Sequence, residues 1–191
     1  LWVFPKGADS ANVGLVAAAG SLPGDSLRDR LDLFVQKRFP GASVISVIAG
    51  GIPVTGALKR LGCDGLLVVG DAAHQADPLS GGGINWGMLG AELAVQAALP
   101  ALKAGDVSWK NLQTYERLWR ERAGKTHAAL YQVRKLIAKM EPERLDALVR
   151  AAAGLPIAEM SLGQVMLAVL KHDPLLLFEA RALIQAGLIL K

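Results

Sequence analysis

One cysteine in 191 residues, Cys63, cannot make an internal disulfide framework, and such scarcity suits a reducing, cytoplasmic compartment. Lying just ahead of an apolar stretch, Cys63 reads as a packing residue. Aromatics make up 5% of the chain and no basic run is interleaved with them, which argues against a nucleic-acid partner. There are three histidines, His74, His127 and His172, and no His/Cys/Asp/Glu set has metal-ligand spacing. No Ser-His-Asp arrangement is indicated. No apolar run reaches the roughly eighteen residues that a membrane-spanning helix needs. Internal repeats and low-complexity stretches are missing, and so is any strand–GxGxxG–helix unit.

What is present is apolar and mildly basic. Hydrophobic residues make up 52% of the chain, mean hydropathy is +0.32 and formal charge is +4. Much of the chain is therefore core, or some surface faces lipid or a partner. Positive charge suits anionic lipid heads or phosphates.

The organising stretch runs from Asp64 to Met88. Leu66–Val69 is a four-residue apolar run, the pattern of a strand covered on both faces in a layered sheet. Gly70-Asp71 ends it, placing a carboxylate at the sheet edge where α/β folds bind cofactors. Ala72 and Ala73 leave room for something bulky. Pro78 and Gly81, Gly82 and Gly83 follow; glycines let backbone amides approach a ligand closely. A helical pattern from Asn85 to Lys103 aims its positive end at that loop. Its small residues, Gly87, Gly90, Ala91, Ala94, Ala97 and Ala98, suit close packing, and Glu92 reads as exposed.

On either side the pattern is as follows. Leu1–Pro5 and Ala11–Ala19 read as strands of a hairpin joined by the turn-rich Lys6–Ser10. Residues 24–39 are amphipathic and stop at Pro40-Gly41. Ser43–Ala49 is β-branched and apolar, Gly50–Val54 leads onward, and Lys59 and Arg60 read as a solvated turn. Ser108 is the expected N-cap of a long basic helix over 109–140, with a break near Gly124. Helices over 142–153, 161–171 and 174–190 follow. The last has a wide apolar face, which fits either packing on the domain or a lid over a lipid tail or membrane surface.

GDAAHQADPLSGGGINWGM resembles the second flavin-binding motif of the p-hydroxybenzoate-hydroxylase-like FAD enzymes, and within them it looks most like the geranylgeranyl reductases. Trp2, Phe4, Pro5, Gly7, Asn12 and Gly14 match the substrate-domain signature of those reductases, and the Gly50–Val54 stretch resembles their G-x-I-P segment. The resemblance implies an FAD-dependent oxidoreductase that saturates C=C bonds of an isoprenoid lipid or diphosphate. It implies an α+β or α/β fold: the end of an FAD-binding sheet plus antiparallel substrate-domain strands, then a helical C-terminal region. The implied divisions are residues 1–60, 61–105 and 106–191.

By the same resemblance Asp71 binds the ribityl hydroxyls of FAD, and Gly83 and Ile84 present amides to the flavin ring. Gly70, Pro78, Gly81 and Gly82 complete the cofactor loop. Trp2, Phe4, Pro5, Lys6, Gly7, Asn12 and Gly14 shape the substrate side; for Lys6 a solvated loop lysine is the alternative, and for the aromatics an ordinary packed hairpin. His74 lies near the flavin in that geometry, either as a proton donor or packed beside the dinucleotide. Because the GxGxxG unit that holds the ADP half is missing, the chain reads as a C-terminal portion whose complement is another chain or segment. Peripheral membrane contact fits the substrate. The electron donor, NADPH or a ferredoxin-type protein, stays open. The alternatives are a flavin monooxygenase of the same superfamily and a non-catalytic fragment that binds lipid or a partner.

Overall fold

The structure is a computed structural model that describes residues 1–18, 26–153 and, beyond them, 155, 156, 159, 160, 164, 165, 167, 168 and 171. It divides into two compact units, residues 1–50 and the chain from Gly51 onward.

The first unit opens with the expected hairpin. Strands β1 (Trp2–Pro5) and β2 (Ala11–Gly14) pair antiparallel, with Trp2 opposite Gly14 and Pro5 opposite Ala11. The five-residue loop closes through Lys6 N–H to the Ser10 carbonyl (2.8 Å) and Ser10 Oγ to the Lys6 carbonyl (2.8 Å). Gly7 supplies the left-handed turn residue, with φ +106°. The second strand ends at Gly14, short of the expected Ala19. Helix α1 (Leu27–Arg38) is capped by Ser26, whose Oγ accepts from Asp29 N–H (3.1 Å), and carries Lys37 and Arg38 at its negative end. None of its residues is buried, so its apolar edge is not sealed against a sheet. Ser43–Ala49 forms no strand despite its composition; Ile48 is 94% exposed. β-Branched residues favour a strand only where a neighbouring strand accepts them, and no neighbour is present among the described residues.

The second unit holds the core. Strands β3 (Gly62–Cys63) and β4 (Leu66–Leu67) form a short antiparallel ladder around Gly65 (φ +70°). This corrects the expectation of a doubly covered strand over 66–69, because Leu66 is 53% exposed and Val69 also reaches solvent. The apolar run there is covered on one face only. Cys63 is exposed on β3 rather than packed.

A 3-10 turn, Gly70–Ala73, leads into the motif loop and then helix α2 (Ile84–Lys103). One stripe of α2 is buried: Gly90, Leu93, Ala94, Ala97 and Ala101, at helical spacing. Its small residues let α2 approach the chain beneath it, and Glu92 lies exposed, accepting from Gln96 Nε2 (3.1 Å).

After Gly105 come α3 (Trp109–Leu112), α4 (Thr114–Trp119), a π-helical turn (Arg120–Gly124) and α5 (Lys125–Ile137), nearly continuous. The break expected near Gly124 is this wide turn. Ser108 sits at the N-cap position, yet Asp64 does the capping: its Oδ1 accepts from Trp109 N–H at 2.7 Å. Helix α6 spans Pro142–Ala153 as expected. Of the expected helix over 161–171, the described residues 164, 165, 167, 168 and 171 are helical. The expected helix over 174–190, with its lid reading, and His172 lie outside the described residues.

Leu61, Ala73, Leu93, Tyr115, Trp119 and Ala123 make the centre of the core, flanked by Trp86 and Leu89. Burying a leucine such as Leu61 or Leu93 contributes roughly 1.5–3 kcal/mol. Among the described residues no helix is long and apolar enough to cross a membrane.

Candidate functional site

The motif between Gly70 and Ile84 has an inner and an outer side. The inner side is a buried hydrogen-bond chain. Gln75 is fully buried. Its Oε1 accepts from Gly70 N–H (2.8 Å) and its Nε2 donates to Tyr115 Oη (2.7 Å), which donates in turn to the Val68 carbonyl (3.1 Å). Burial raises the Tyr115 phenol, opposed by its bond from Gln75, so it stays a donor at neutral pH. The chain fixes the Gly70-Asp71 turn from behind. Gly90 makes it possible, because a Cβ there would sit well inside van der Waals contact of Gln75 Oε1.

His127 braces the loop from the other side. It is buried between the Trp86 and Trp119 rings, edge to face at 5.8 and 6.2 Å, and its Nε2 donates to the Ala76 carbonyl at 3.0 Å. Burial lowers its pKa, opposed by the carbonyls of Ala76 and His74 and by the Asp77 charge. Asp77 Oδ1 accepts from Leu79 N–H (2.8 Å) and Ser80 N–H (3.0 Å), while its backbone exchanges bonds with Gly81 and Gly82. Pro78 is fully buried and shapes the loop from within. Ala73 also lies in the core, so its small size admits α2 and not a ligand; Ala72 is the exposed one.

The outer side is open. Asp71 is exposed beside Gly83: a Cβ on Gly83 would lie 3.0 Å from Asp71 Oδ1. Gly81 takes φ +76°, a conformation that a side chain would strain. Among the described residues no side chain caps the N-terminus of α2, and its first turn holds no acid. The result is a bare backbone cradle in which the positive helix end and one carboxylate face the same space. Ile84 and Met88 stand beside it, 81% and 68% exposed, an apolar surface next to polar donors. A carboxylate that accepts from hydroxyls, free amides and a flat apolar rim are the parts that a flavin's ribityl chain and ring require. The residues present fit that group.

His74 adopts the left-handed region (φ 53°), the one non-glycine to do so among the described residues, and its Nδ1 lies 2.7 Å from Thr55 Oγ1. It is tied into the protein's own turn. The second group of expected site residues lies in the other unit. Trp2 Nε1 donates to Asn12 Oδ1 (2.9 Å), Trp2 stacks on Phe4 (6.2 Å), and the Trp2 indole covers Gly14 so closely that no Cβ would fit. Phe4 is 61% exposed, so this aromatic pair forms a surface wall rather than a packed core. Pro5, Lys6 and Gly7 are exposed at the turn.

Sequence reasoning missed Gln75, Tyr115 and His127, since buried polar pairs leave no periodicity. Lys59 and Arg60 are exposed, as a solvated turn requires, and the Arg60 guanidinium also lies 5.0 Å from the Trp109 ring centroid while its Nε donates to the Gly62 carbonyl (2.9 Å).

The family described as geranylgeranyl reductase catalytic domain matches residues 1–52. A digeranylgeranylglycerophospholipid reductase from Methanosphaerula palustris is 39% identical over 184 residues, 95% of this chain and 46% of that protein. A digeranylgeranylglycerophospholipid reductase from Methanosarcina mazei is 37% identical over 186 residues, 96% of this chain and 46% of its own length. The crystal structure of a geranylgeranyl bacteriochlorophyll reductase-like protein from Thermoplasma acidophilum superposes with a TM-score of 0.81 at 30% identity, covering 95% of this chain and 47% of that one. The chain thus spans about half the length of the curated relatives it matches. With its mixed helical and short antiparallel architecture, it belongs to the geranylgeranyl reductase family.

Proposed function

We propose that this chain is part of an FAD-dependent reductase that saturates the C=C bonds of a geranylgeranyl chain carried on a phospholipid or diphosphate. The observation that carries the reading is the open cradle: an Asp71 carboxylate with no hydrogen-bond partner among the described residues, against the bare Gly83 backbone at a helix end that no described side chain caps. In this reading Asp71 accepts from the ribityl hydroxyls, and the amides of Gly83 and Ile84 hold the ring. Gly70, Pro78, Gly81 and Gly82 keep the loop in shape. Bound there, the flavin would supply hydride chemistry to an unactivated alkene. The chain's own residues bind and orient; Ile84 and Met88 keep water from the ring's edge. Trp2 and Phe4 give an apolar wall for the isoprenoid, with Pro5, Lys6, Gly7, Asn12 and Gly14 forming its turn and support.

The substrate names of the relatives support the lipid class, and peripheral membrane contact follows from a substrate that resides in membranes. We assign residues 1–60 to the substrate side, 61–105 to the cofactor side and 106–191 to the helical cover.

The test is titration of the chain with FAD, followed by flavin fluorescence and visible absorbance. Asp71→Ala removes hydrogen bonds to a charged acceptor, roughly 1.5–3 kcal/mol, so Kd should rise about 10- to 150-fold. A chain that takes up no FAD, or an Asp71→Ala variant that binds as tightly, overturns the assignment of the cradle.

A further inference from the structure

We propose that the groove beside the π-helical turn is a second ligand site, for an amphipathic anion: a phosphate or carboxylate head on an apolar body. The groove has a volume of about 510 Å³ and is bounded by the Gly56–Leu61 segment on one side and by Trp119, Arg120, His127 and Tyr131 on the other. That volume lies within the range of small-molecule sites. It shares no residue with the Asp71–Ile84 cradle, so the proposal stands independently of the flavin reading.

The sign of the head follows from which charges are already committed. The carboxylate in the wall, Glu116, is spent on both oxygens: Oε1 accepts from Leu61 N–H (2.8 Å) and Oε2 from Arg120 Nη2 (2.7 Å). Arg120 Nη2 also reaches the Lys59 carbonyl (3.3 Å), which holds the guanidinium at the rim. Lys59 is exposed, and its ammonium has no ion-pair partner among the described residues. With Arg120 balanced by Glu116, the groove keeps one uncompensated positive charge and a fixed guanidinium edge. Trp119, 2% exposed, closes one wall of the groove. Both cationic groups at the rim call for oxygen acceptors.

The apolar body follows from the rest of the lining. Ala57, Leu58, Leu61, Ala128 and the Tyr131 ring offer no charge and enough surface for a hydrocarbon. The backbone is also unusual here. The π turn widens the helix where Trp119 and Gly124 meet the groove, and such turns recur at functional sites.

The probes are decyl phosphate, inorganic phosphate and decylammonium, titrated calorimetrically into the 191-residue chain, with the indole N–H signals followed by NMR. Decyl phosphate is expected to bind at least about tenfold tighter than either control, since each control lacks one half of the recognition, and to shift the Trp119 indole signal. Ala128→Trp, at an exposed helical position in the wall, fills the groove and should weaken binding at least about tenfold; Lys59→Gln should weaken it about three- to tenfold. Binding unchanged in both variants, decylammonium binding as tight as decyl phosphate, or inorganic phosphate matching it would each overturn the proposal. Sedimentation with phosphatidylglycerol vesicles separates the sources: cosedimentation lost in Ala128→Trp identifies a membrane lipid head, and binding of decyl phosphate without cosedimentation identifies a free amphiphile.

Discussion

Gly90→Ala on α2 should destabilise the chain, although glycine to alanine in a helix ordinarily stabilises. The added Cβ would collide with Gln75 Oε1, which is buried and cannot move into solvent. Gln75 must then leave its bonds with Gly70 N–H (2.8 Å) and Tyr115 Oη (2.7 Å). Each buried group left without a partner costs about 1–3 kcal/mol, so the two cost about 2–6. The helix gains roughly 1 kcal/mol from replacing glycine. The expected net loss is about 1–5 kcal/mol, read as a lower urea midpoint at unchanged m-value.

A double-mutant cycle isolates the cause. Gln75→Ala alone should be destabilising by a similar amount, and Gly90→Ala added to it should cost nothing and regain part of the helix propensity. If Gly90→Ala proves as stable as the parent chain, or more stable, the buried Gln75 bridge is not what demands a glycine at 90. Additive single and double mutants would likewise refute the collision.

Gly83→Val should fold normally yet lose FAD binding, because even a single Cβ reaches 3.0 Å from Asp71 Oδ1; thermal denaturation and flavin fluorescence read the two effects separately. Gly14→Ala should expel the Trp2 indole from β2 and break its 2.9 Å bond to Asn12, a loss of about 1 kcal/mol in the hairpin, seen as a shift of the Trp2 indole N–H signal. His127 has a lowered pKa because it is buried, so as pH falls below about 6.5 the unfolded chain takes up its proton first. Stability should be level above that pH and decline as pH drops towards the folded-state pKa; His127→Gln should flatten that decline in urea titrations at several pH values.

The elements that sequence made legible are those whose pattern is local. The β1–β2 hairpin, α2 and α6 follow from alternation, turn chemistry and helical spacing; the structure returns the two helices nearly at the expected bounds and the hairpin with its second strand ending at Gly14. The Asp71–Gly83 juxtaposition was legible through the motif's resemblance, which gives both residues to one flavin; loop length alone leaves it open, since a dozen extended residues reach about 40 Å. What could not be read is non-local. Asp64 caps α3 from 45 residues away, and Glu116 accepts from Leu61 across 55. The apolar run at 66–69 misled for the same reason: a continuous run says that a segment can be covered on both faces, and whether it is covered depends on layers elsewhere in the chain.

The motif between Gly70 and Gly90 constrains two things at once. Ala73, Gln75, Ala76, Pro78 and Gly90 face inward and serve packing, whereas Asp71, Gly81, Gly83 and Ile84 face outward. A match to the motif therefore reports a way of packing α2 on a turn as much as it reports a ligand. The inward residues would be required even in a relative that had lost its cofactor, because burying an unpaired Gly70 N–H is costly whatever lies outside. Only the outward set separates the two demands: substitutions at Asp71, Gly83 and Ile84 that leave stability untouched and change flavin affinity measure the ligand requirement alone.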